Sequence, residues 1–346
     1  MARQHFLPAS YIGGFSPELQ GRRRDRRVWV ARRGDSRAFR SRAASLGFAK
    51  NLYVLQEQPG HLSGVIDKQW QSYERGLSSA IDRAANVPDE PLDGQAWLSL
   101  VMFVAGLFVR SPDYGDADQA WLESFFDHDV PGGMLSDNAN LNRMLDFQWL
   151  CSTLLFCRWS LVRLGHARAV TNDIGYCLAP DLDGRPAGAI PLRPDLLLLV
   201  SQGPGNLRAW WDGERWRMEG FDIVLDDPGN PGIQRINATL ASTARQEVYG
   251  SSEEDVSQAI LGWSRMSARV GFAPPPQLLY ASPEKRRELE DRIFTAMALL
   301  SEPPTERPPW ILRFDSAAPW SKGSIVPDDR LWQQVSHVEC RVRDAR

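Results

Sequence analysis

The chain has 346 residues, of which 43% are apolar and 24% are charged, and its formal net charge is −3. A chain of this length and composition can bury a large hydrophobic core, which excludes disordered, collagen-like and disulfide-scaffold proteins. The charge is unevenly distributed, because residues 1–42 hold eleven arginines and only three acids. This region therefore carries a net charge of +8 and the remainder carries −11. Such a basic segment is a candidate surface for a polyanion.

The first predicted elements are a β-hairpin and three helices. Residues 28–31 and 37–42 read as strands on either side of a turn at Arg33-Gly34-Asp35-Ser36. Apolar residues then recur every three or four positions, which is typical of helices packed on a core. The helices are predicted at residues 66–84, 95–110 and 138–164.

The pattern changes to that of β-strands near residue 168. Residues 208–211 and 214–218 flank Asp212-Gly213, and Asp-Gly readily adopts the positive φ of a tight hairpin turn. Before this hairpin, short strands are predicted at residues 169–171, 176–178, 189–192 and 196–200. After it, helices are predicted at residues 232–248, from about residue 252, and at residues 284–300.

This order of elements predicts an α+β fold, with a mainly helical core, an N-terminal β-hairpin and a central antiparallel β-meander. No low-complexity linker divides the first part of the chain, so residues 1–302 are predicted to form one intertwined domain. Residues 303–346 are predicted to form an extended C-terminal tail that contains proline and tryptophan. Nothing in the pattern predicts an oligomeric state.

The sequence carries neither a secretion signal nor a membrane-spanning segment. The longest apolar run, residues 98–109, is too short to cross a bilayer, and the N-terminus lacks the apolar stretch of a signal peptide. Four cysteines in a chain of this length do not form a disulfide framework. These features predict a cytoplasmic protein without a membrane partner.

No known cofactor motif is present. The sequence lacks a Walker loop, a dinucleotide-binding glycine motif and the Cys or His spacing of a zinc site. The acidic runs at residues 116–118 and 127–129 could bind a divalent cation through carboxylate oxygens, although a solvated acidic loop explains them as well. The sequence therefore predicts no particular cofactor, and a divalent cation is one possibility.

The N-terminus carries the most specific motif in the chain. It reads Gln4-His5-Phe6-Leu7-Pro8-Ala9-Ser10-Tyr11-Ile12-Gly13-Gly14-Phe15. This segment resembles the opening of the bacterial domain-of-unknown-function family 4238, and weaker similarities extend the resemblance to about residue 260. The family has no established activity, so the resemblance implies positions of interest rather than a function.

The resemblance and the residue chemistry together select a candidate site. His5 could act as a general base, because the pKa of histidine lies near neutrality. The alternative is a histidine that binds a backbone carbonyl and fixes the N-terminus. The candidate catalytic residues are His5, Glu74, Arg110 and Asp173, and the candidate binding residues beside them are Tyr11, Asn51, Tyr53 and Asn172.

The other candidates also have structural explanations. Glu74 lies at the edge of a predicted apolar stripe, where a carboxylate would be partly desolvated, but a salt bridge to Arg110 explains the position equally well. Asn172 and Asp173 follow a predicted strand, and such residues also simply form turns. Gly175 stands where the family usually has proline, so the loop carrying Asp173 could be set differently here.

The basic N-terminal segment supplies a second candidate site. The arginines predicted to bind nucleic acid or another polyanion are Arg22, Arg23, Arg24, Arg26 and Arg27. The alternative is that these charges pair with the acidic remainder of the chain. Two functions follow from these sites: a hydrolase or nuclease-like phosphodiesterase, and a non-catalytic regulatory module that binds nucleic acid or another polyanion. An enzyme of small-molecule biosynthesis is a third possibility, for which the sequence carries no positive motif.

Overall fold

The computed structural model describes most of residues 3–261 and one C-terminal strand. The described residues are 3–35, 37–56, 64–86, 92, 94–112, 114, 132–154, 157–180, 186–201, 208–211, 216–225, 232–261, 263 and 338–343. The helices are α1 (Ala9–Ile12), α2 (Val65–Glu74), α3 (Leu77–Asn86), α4 (Gly94–Val109), α5 (Gly132–Leu154), α6 (Gly232–Thr243) and α7 (Glu253–Ile260).

The strands form three sheets. In chain order they are β1 (Arg3–His5), β2 (Arg27–Arg32), β3 (Phe39–Arg42), β4 (Phe48–Lys50), β5 (Arg158–Arg163), β6 (Thr171–Asn172), β7 (Cys177–Pro180), β8 (Pro186–Arg193), β9 (Leu196–Ser201), β10 (Arg208–Trp211), β11 (Trp216–Leu225), β12 (Glu247–Gly250) and β13 (Val338–Arg343). Strands β1 and β4 form a two-stranded ribbon, and a four-stranded sheet has the order β3-β2-β12-β6. The predicted N-terminal hairpin, β2–β3, is confirmed, and its turn contains Gly34 at a φ of 93°.

The largest sheet has the order β10-β11-β5-β9-β8-β7, and β13 adds to the other edge of β11. Strands β7, β8 and β9 form the predicted antiparallel meander. Strand β11 runs parallel to both β5 and β13. The α+β fold is therefore confirmed. Residues 338–343 belong to this sheet although they lie within the segment predicted as a tail.

Two of the predicted helices extend too far toward the C-terminus. The long helix predicted at residues 138–164 ends at Leu154, and residues 158–163 form the central strand β5. Because β5 is buried between β9 and β11, its apolar run lacks the alternation that distinguishes a strand from a helix. Likewise α6 ends at Thr243, and Val248 lies in β12. The helix predicted at 284–300 lies outside the described residues.

The helix predicted at residues 66–84 is divided into α2 and α3 at Arg75 and Gly76. A Cβ atom at Gly76 would lie 2.7 Å from Ser99 Oγ of α4, so glycine allows the start of α3 to approach α4 closely. The division ends α2 at Glu74, and α4 ends one residue before Arg110. The last residue of β1 is His5.

The larger hydrophobic core surrounds α4 and contains the fully buried side chains of Trp70, Trp97 and Trp159. A smaller core lies around α6 and α7 and includes Val248 and Val256. Within the part of the chain that the structure describes, no helix is long and apolar enough to cross a lipid bilayer.

Candidate functional site

The His5 side chain is held in a defined orientation at the end of β1. Its Nδ1 lies 3.2 Å from the backbone carbonyl oxygen of Leu46, and its ring meets the Phe48 ring edge-on at a centroid distance of 6.0 Å. Because a carbonyl oxygen only accepts hydrogen bonds, Nδ1 carries the proton of the neutral ring and Nε2 carries the lone pair. Nε2 has no hydrogen-bond partner among the described residues. The ring therefore presents a basic nitrogen at the site.

Arg110 forms the buried centre of the site. Its Nη2 lies 2.6 Å from Glu74 Oε1 and donates a hydrogen bond of 2.5 Å to the backbone carbonyl oxygen of His5. The guanidinium also lies over the rings of Trp70 and Tyr53, at 5.1 and 6.0 Å from their centroids. Only 5% of Arg110 is exposed. Burial acts to lower the pKa of Arg110, but the nearby Glu74 and Tyr53 raise it by a larger amount. The pKa of Arg110 therefore lies above its ordinary value, and the guanidinium stays charged.

Asp67 is a fourth member of the site that the sequence analysis missed. It lies on α2 seven residues before Glu74, so both carboxylates project from the same side of that helix. Burial raises the pKa of Asp67, whose charge also interacts with Arg110, Glu74 and His5. The seven-residue spacing on a predicted helix was the signal that could have found it. We refer to His5, Asp67, Glu74 and Arg110 as the His5 cluster.

The electrostatic environment keeps His5 neutral. Burial lowers the pKa of His5 below its ordinary value of 6.5, and the positive charges of Arg110 and Arg24 lower it further. The carboxylate of Glu74 and the bond to the Leu46 carbonyl act in the opposite direction, but the net shift is downward. At neutral pH the imidazole is therefore a free base.

A second buried arginine, Arg143, stabilises the chain segment that carries Arg110. The sequence analysis did not select it. Arg143 of α5 is 1% exposed and donates to the carbonyl oxygens of Val109 and Ser111, at 2.7 and 2.9 Å. These carbonyls belong to the C-terminal end of α4, where Arg110 lies. A cation at a helix C-terminus satisfies free carbonyls and interacts favourably with the helix dipole. Arg143 therefore fixes the chain segment that carries Arg110.

Tyr53 connects the two arginines. Its hydroxyl donates to the carbonyl oxygen of Arg110 at 3.1 Å, and the Arg143 guanidinium lies 5.7 Å from its ring centroid. Its backbone N–H donates to Gln4 Oε1 at 2.7 Å, which ties this residue to β1. Tyr53 was predicted to bind a ligand, and the structure shows it completely buried as part of the scaffold beneath the His5 cluster.

The other two residues of the predicted binding set near the N-terminus lie in structural positions. The Tyr11 hydroxyl is buried, donates to the Pro191 carbonyl oxygen at 2.6 Å and contacts Thr171 Oγ1 at 2.8 Å. Asn51 adopts a φ of 54° and turns the chain at the end of β4. Asparagine tolerates this left-handed conformation better than most residues.

Asn172 and Asp173 have partners of their own, separate from those of the His5 cluster. The Asp173 carboxylate accepts backbone hydrogen bonds from Arg245, Gln246 and Glu247, at 2.7, 2.7 and 3.1 Å. Asn172 Nδ2 donates to the Leu240 carbonyl oxygen at 2.8 Å. These bonds hold the turn between α6 and β12 against β6. The structure thus brings together His5, Glu74 and Arg110 and gives Asp173 a different environment.

Replacing Asp173 by alanine is expected to lower the free energy of unfolding by about 3 kcal/mol, because three backbone N–H groups lose their buried acceptor. Burial raises the pKa of Asp173 to about 6, although the three N–H groups act to lower it. A folded-state pKa above the ordinary 3.8 means that this carboxyl contributes most below pH 4 and that its contribution falls as the pH rises through about 6. Urea unfolding of both proteins at pH 4 and pH 7 measures the difference. A difference that is larger at pH 7 would contradict this assignment.

The five predicted polyanion-binding arginines divide into two groups. Arg23 is partly buried and forms an ion pair with Asp82, and Arg26 folds back to donate to the carbonyl oxygens of Leu19 and Gly21. The other three, Arg22, Arg24 and Arg27, are exposed. Internal pairing therefore explains part of the basic segment, as the alternative interpretation required.

No metal centre is formed by the described residues: no three His, Cys, Asp or Glu side chains among them come together in a way that could hold an ion. The acidic runs at 116–118 and 127–129 lie outside the residues that the structure describes.

Comparison with known proteins bears on the segment that contains this site. Residues 3–163 match the model of a family described as protein of unknown function, DUF4238. The resemblance of the N-terminal segment to this family is therefore confirmed. All four residues of the His5 cluster lie within the DUF4238 segment, whereas Asn172 and Asp173 follow it. No curated protein and no solved structure matched the chain.

Proposed function

We propose that the protein is a hydrolase of phosphodiesterase type and that His5 is its general base. The observation that carries this proposal is the bond between His5 Nδ1 and the Leu46 carbonyl, which leaves Nε2 unpartnered beside two carboxylates and a buried arginine. A neutral imidazole oriented by a backbone carbonyl is a common arrangement for proton transfer.

The reaction would use the basic nitrogen of His5 to activate water. Nε2 takes a proton from the water, the water oxygen forms a bond to phosphorus, and the phosphorus–oxygen bond to the leaving group breaks. The leaving oxygen takes a proton from solvent, so that the diester and water give an alcohol and a phosphomonoester. The imidazolium then returns its proton to solvent.

The remaining members of the His5 cluster would position the base and control its charge. Arg110 holds the backbone of His5 through its carbonyl oxygen, and Glu74 neutralises Arg110. In this proposal Arg110 is therefore a positioning residue rather than a catalytic residue. Arg24 is exposed and acts electrostatically on His5, which suits it to meet the negative charge of the substrate.

The dependence of the rate on pH tests the state of the base. Since His5 acts in its neutral form, kcat/KM for bis(p-nitrophenyl) phosphate is expected to rise with pH and to reach a plateau by about pH 7, with a midpoint below 6.5. Replacing Arg24 by glutamine is expected to move this midpoint upward, because Arg24 lowers the pKa of His5. A midpoint above 6.5, or a profile with no acid limb, would contradict the role of His5.

A second candidate function is non-catalytic binding of nucleic acid, and the exposure of Arg22, Arg24 and Arg27 favours it. Wild-type protein that binds an oligonucleotide but hydrolyses no phosphodiester would select this function. We also propose a cytoplasmic location, which suits the free thiols of Cys151, Cys157 and Cys177.

A further inference from the structure

We propose that the face of the β1–β4 ribbon that carries His5 binds the phosphates of a single-stranded nucleic acid through Arg3 and Lys50, with Arg24 beside them. We refer to Arg3, Lys50 and Arg24 as the basic rim. This inference rests on the proposed function, because it names the substrate class that would be led to the His5 cluster.

The register of the ribbon places the two cations beside His5. Arg3 lies directly opposite Lys50, and His5 lies directly opposite Phe48. Directly opposed residues share a face of an antiparallel pair, and residues two apart on a strand share a face at a spacing of about 6.8 Å. Arg3, Lys50, His5 and Phe48 therefore share one face of the ribbon. A phosphate bound between the two cations would lie next to the imidazole.

No acid among the described residues pairs with Arg3 or Lys50. Like charges directly opposite each other destabilise a pair of strands, so this arrangement costs stability unless an anion binds there. Both side chains are exposed, and within the described part of the chain neither forms an ion pair. Elsewhere in the basic N-terminal segment, acids neutralise the arginines Arg23, Arg32 and Arg40, which pair with Asp82, Glu247 and Glu18.

Arg24 extends the positive surface toward the hairpin. It lies in a short helical turn at Arg23–Asp25 that packs against the turn at Ala43–Ser45. The second turn leads directly into Leu46, whose carbonyl oxygen contacts His5. The two turns are joined by a 3.0 Å hydrogen bond from the Ala43 N–H to the Arg26 carbonyl oxygen. This connection fixes the backbone of Arg24 relative to the His5 imidazole.

An aromatic ring within the basic face favours a single strand over other polyanions. The Arg3 guanidinium lies 4.8 Å from the centroid of the Phe48 ring, which is partly exposed and also contacts His5. Proteins that bind single strands combine basic side chains for the phosphates with aromatic rings on which bases stack. Arginine also stacks on aromatic and base planes. A membrane surface offers phosphates but no bases for such rings.

The test uses a His5→Asn protein, which is expected to cleave too slowly to disturb a binding measurement, and a fluorescein-labelled single-stranded oligothymidylate of about 12 nucleotides. Fluorescence anisotropy over a range of salt concentrations gives the dependence of log K on log salt. Lys50→Gln is expected to reduce the slope by about 0.7, and Arg3→Gln/Lys50→Gln by about 1.4, because each phosphate contact releases counterions. Arg235→Gln, which removes an exposed arginine from α6, is the matched control and is expected to leave the slope unchanged.

An unchanged slope in the double variant would overturn the inference, as would binding to phosphatidylserine vesicles without binding to the oligonucleotide. The outcome is separable from that of the proposed function. Hydrolysis of bis(p-nitrophenyl) phosphate by a protein that does not bind the oligonucleotide would refute nucleic-acid binding by the basic rim and would still support the proposed hydrolase function. Rim-dependent binding without hydrolysis by wild-type protein would support the rim and refute the hydrolase.

Discussion

Replacing Glu74 by alanine is expected to lower the free energy of unfolding by about 3–5 kcal/mol, which is the typical cost of leaving a buried charge without its partner. Arg110 is 5% exposed and cannot lose its proton, so it would stay charged. Among the described residues it would keep the His5 carbonyl oxygen, the Tyr53 hydroxyl and aromatic rings as neighbours, but no negative charge in direct contact. Urea unfolding at pH 7 measures the change.

Two further variants distinguish the loss of charge from the loss of packing. Glu74→Gln keeps a hydrogen-bond acceptor for Arg110 and is expected to fall between wild type and Glu74→Ala. Glu74→Ala/Arg110→Met removes both charges and is expected to recover much of the loss, because apolar replacement of a buried pair is often nearly neutral. A loss below about 1 kcal/mol for Glu74→Ala would show that the pair behaves like an exposed salt bridge.

Three of the candidate site residues that lie together in the structure were selected from a local motif or a helix pattern. Their role in a reaction stays a prediction. The N-terminal motif indicated His5, the edge of an apolar stripe indicated Glu74, and the end of an apolar helix indicated Arg110. The ion pair between Glu74 and Arg110, which the sequence analysis gave as an alternative role for Glu74, is present. Asp67 could have been added from its seven-residue spacing to Glu74 on the same helix.

Other parts of the site depend on contacts that are distant in sequence. Arg143 supports Arg110 only because α5 packs against the end of α4, and a buried arginine in a helix pattern gives no local sign of that contact. Asp173 was grouped with His5, Glu74 and Arg110 by the family resemblance and by residue chemistry, whereas its hydrogen-bond partners follow it by more than 70 residues. The pairing of Arg3 with Lys50 likewise depends on the register of two strands whose paired residues are 43 to 47 positions apart in sequence.

Contacts between segments distant in sequence also explain the errors in the predicted secondary structure. Strand β5 has neighbours on both sides and buried residues on both faces, so its sequence resembles the end of the preceding helix. Strand β13 joins β11 from a segment that follows it by more than 100 residues, and no local pattern indicates a partner at that distance. The antiparallel meander β7–β9 was predictable, because short turns join strands that pair with their neighbours in sequence.

Replacing His5 by asparagine is expected to lower kcat/KM for a phosphodiester by a factor of about 10² to 10⁴, the usual contribution of a general base. The asparagine Nδ2 can take the place of Nδ1 and donate to the Leu46 carbonyl, so the variant is expected to fold and to unfold at the same urea concentration as wild type. His5→Gln is the matched variant, because its amide reaches toward the Nε2 position and leaves the Leu46 carbonyl without its donor. It is expected to lose stability as well as activity.

The most direct test of the central claim is a parallel assay of wild-type and His5→Asn protein, purified identically, on bis(p-nitrophenyl) phosphate at pH 7. The structure predicts hydrolysis by the wild type and a loss of about 10²-fold or more in the variant, with unchanged unfolding by urea. Equal rates in the two proteins, or no hydrolysis by the wild type, would contradict the assignment of His5 as a general base.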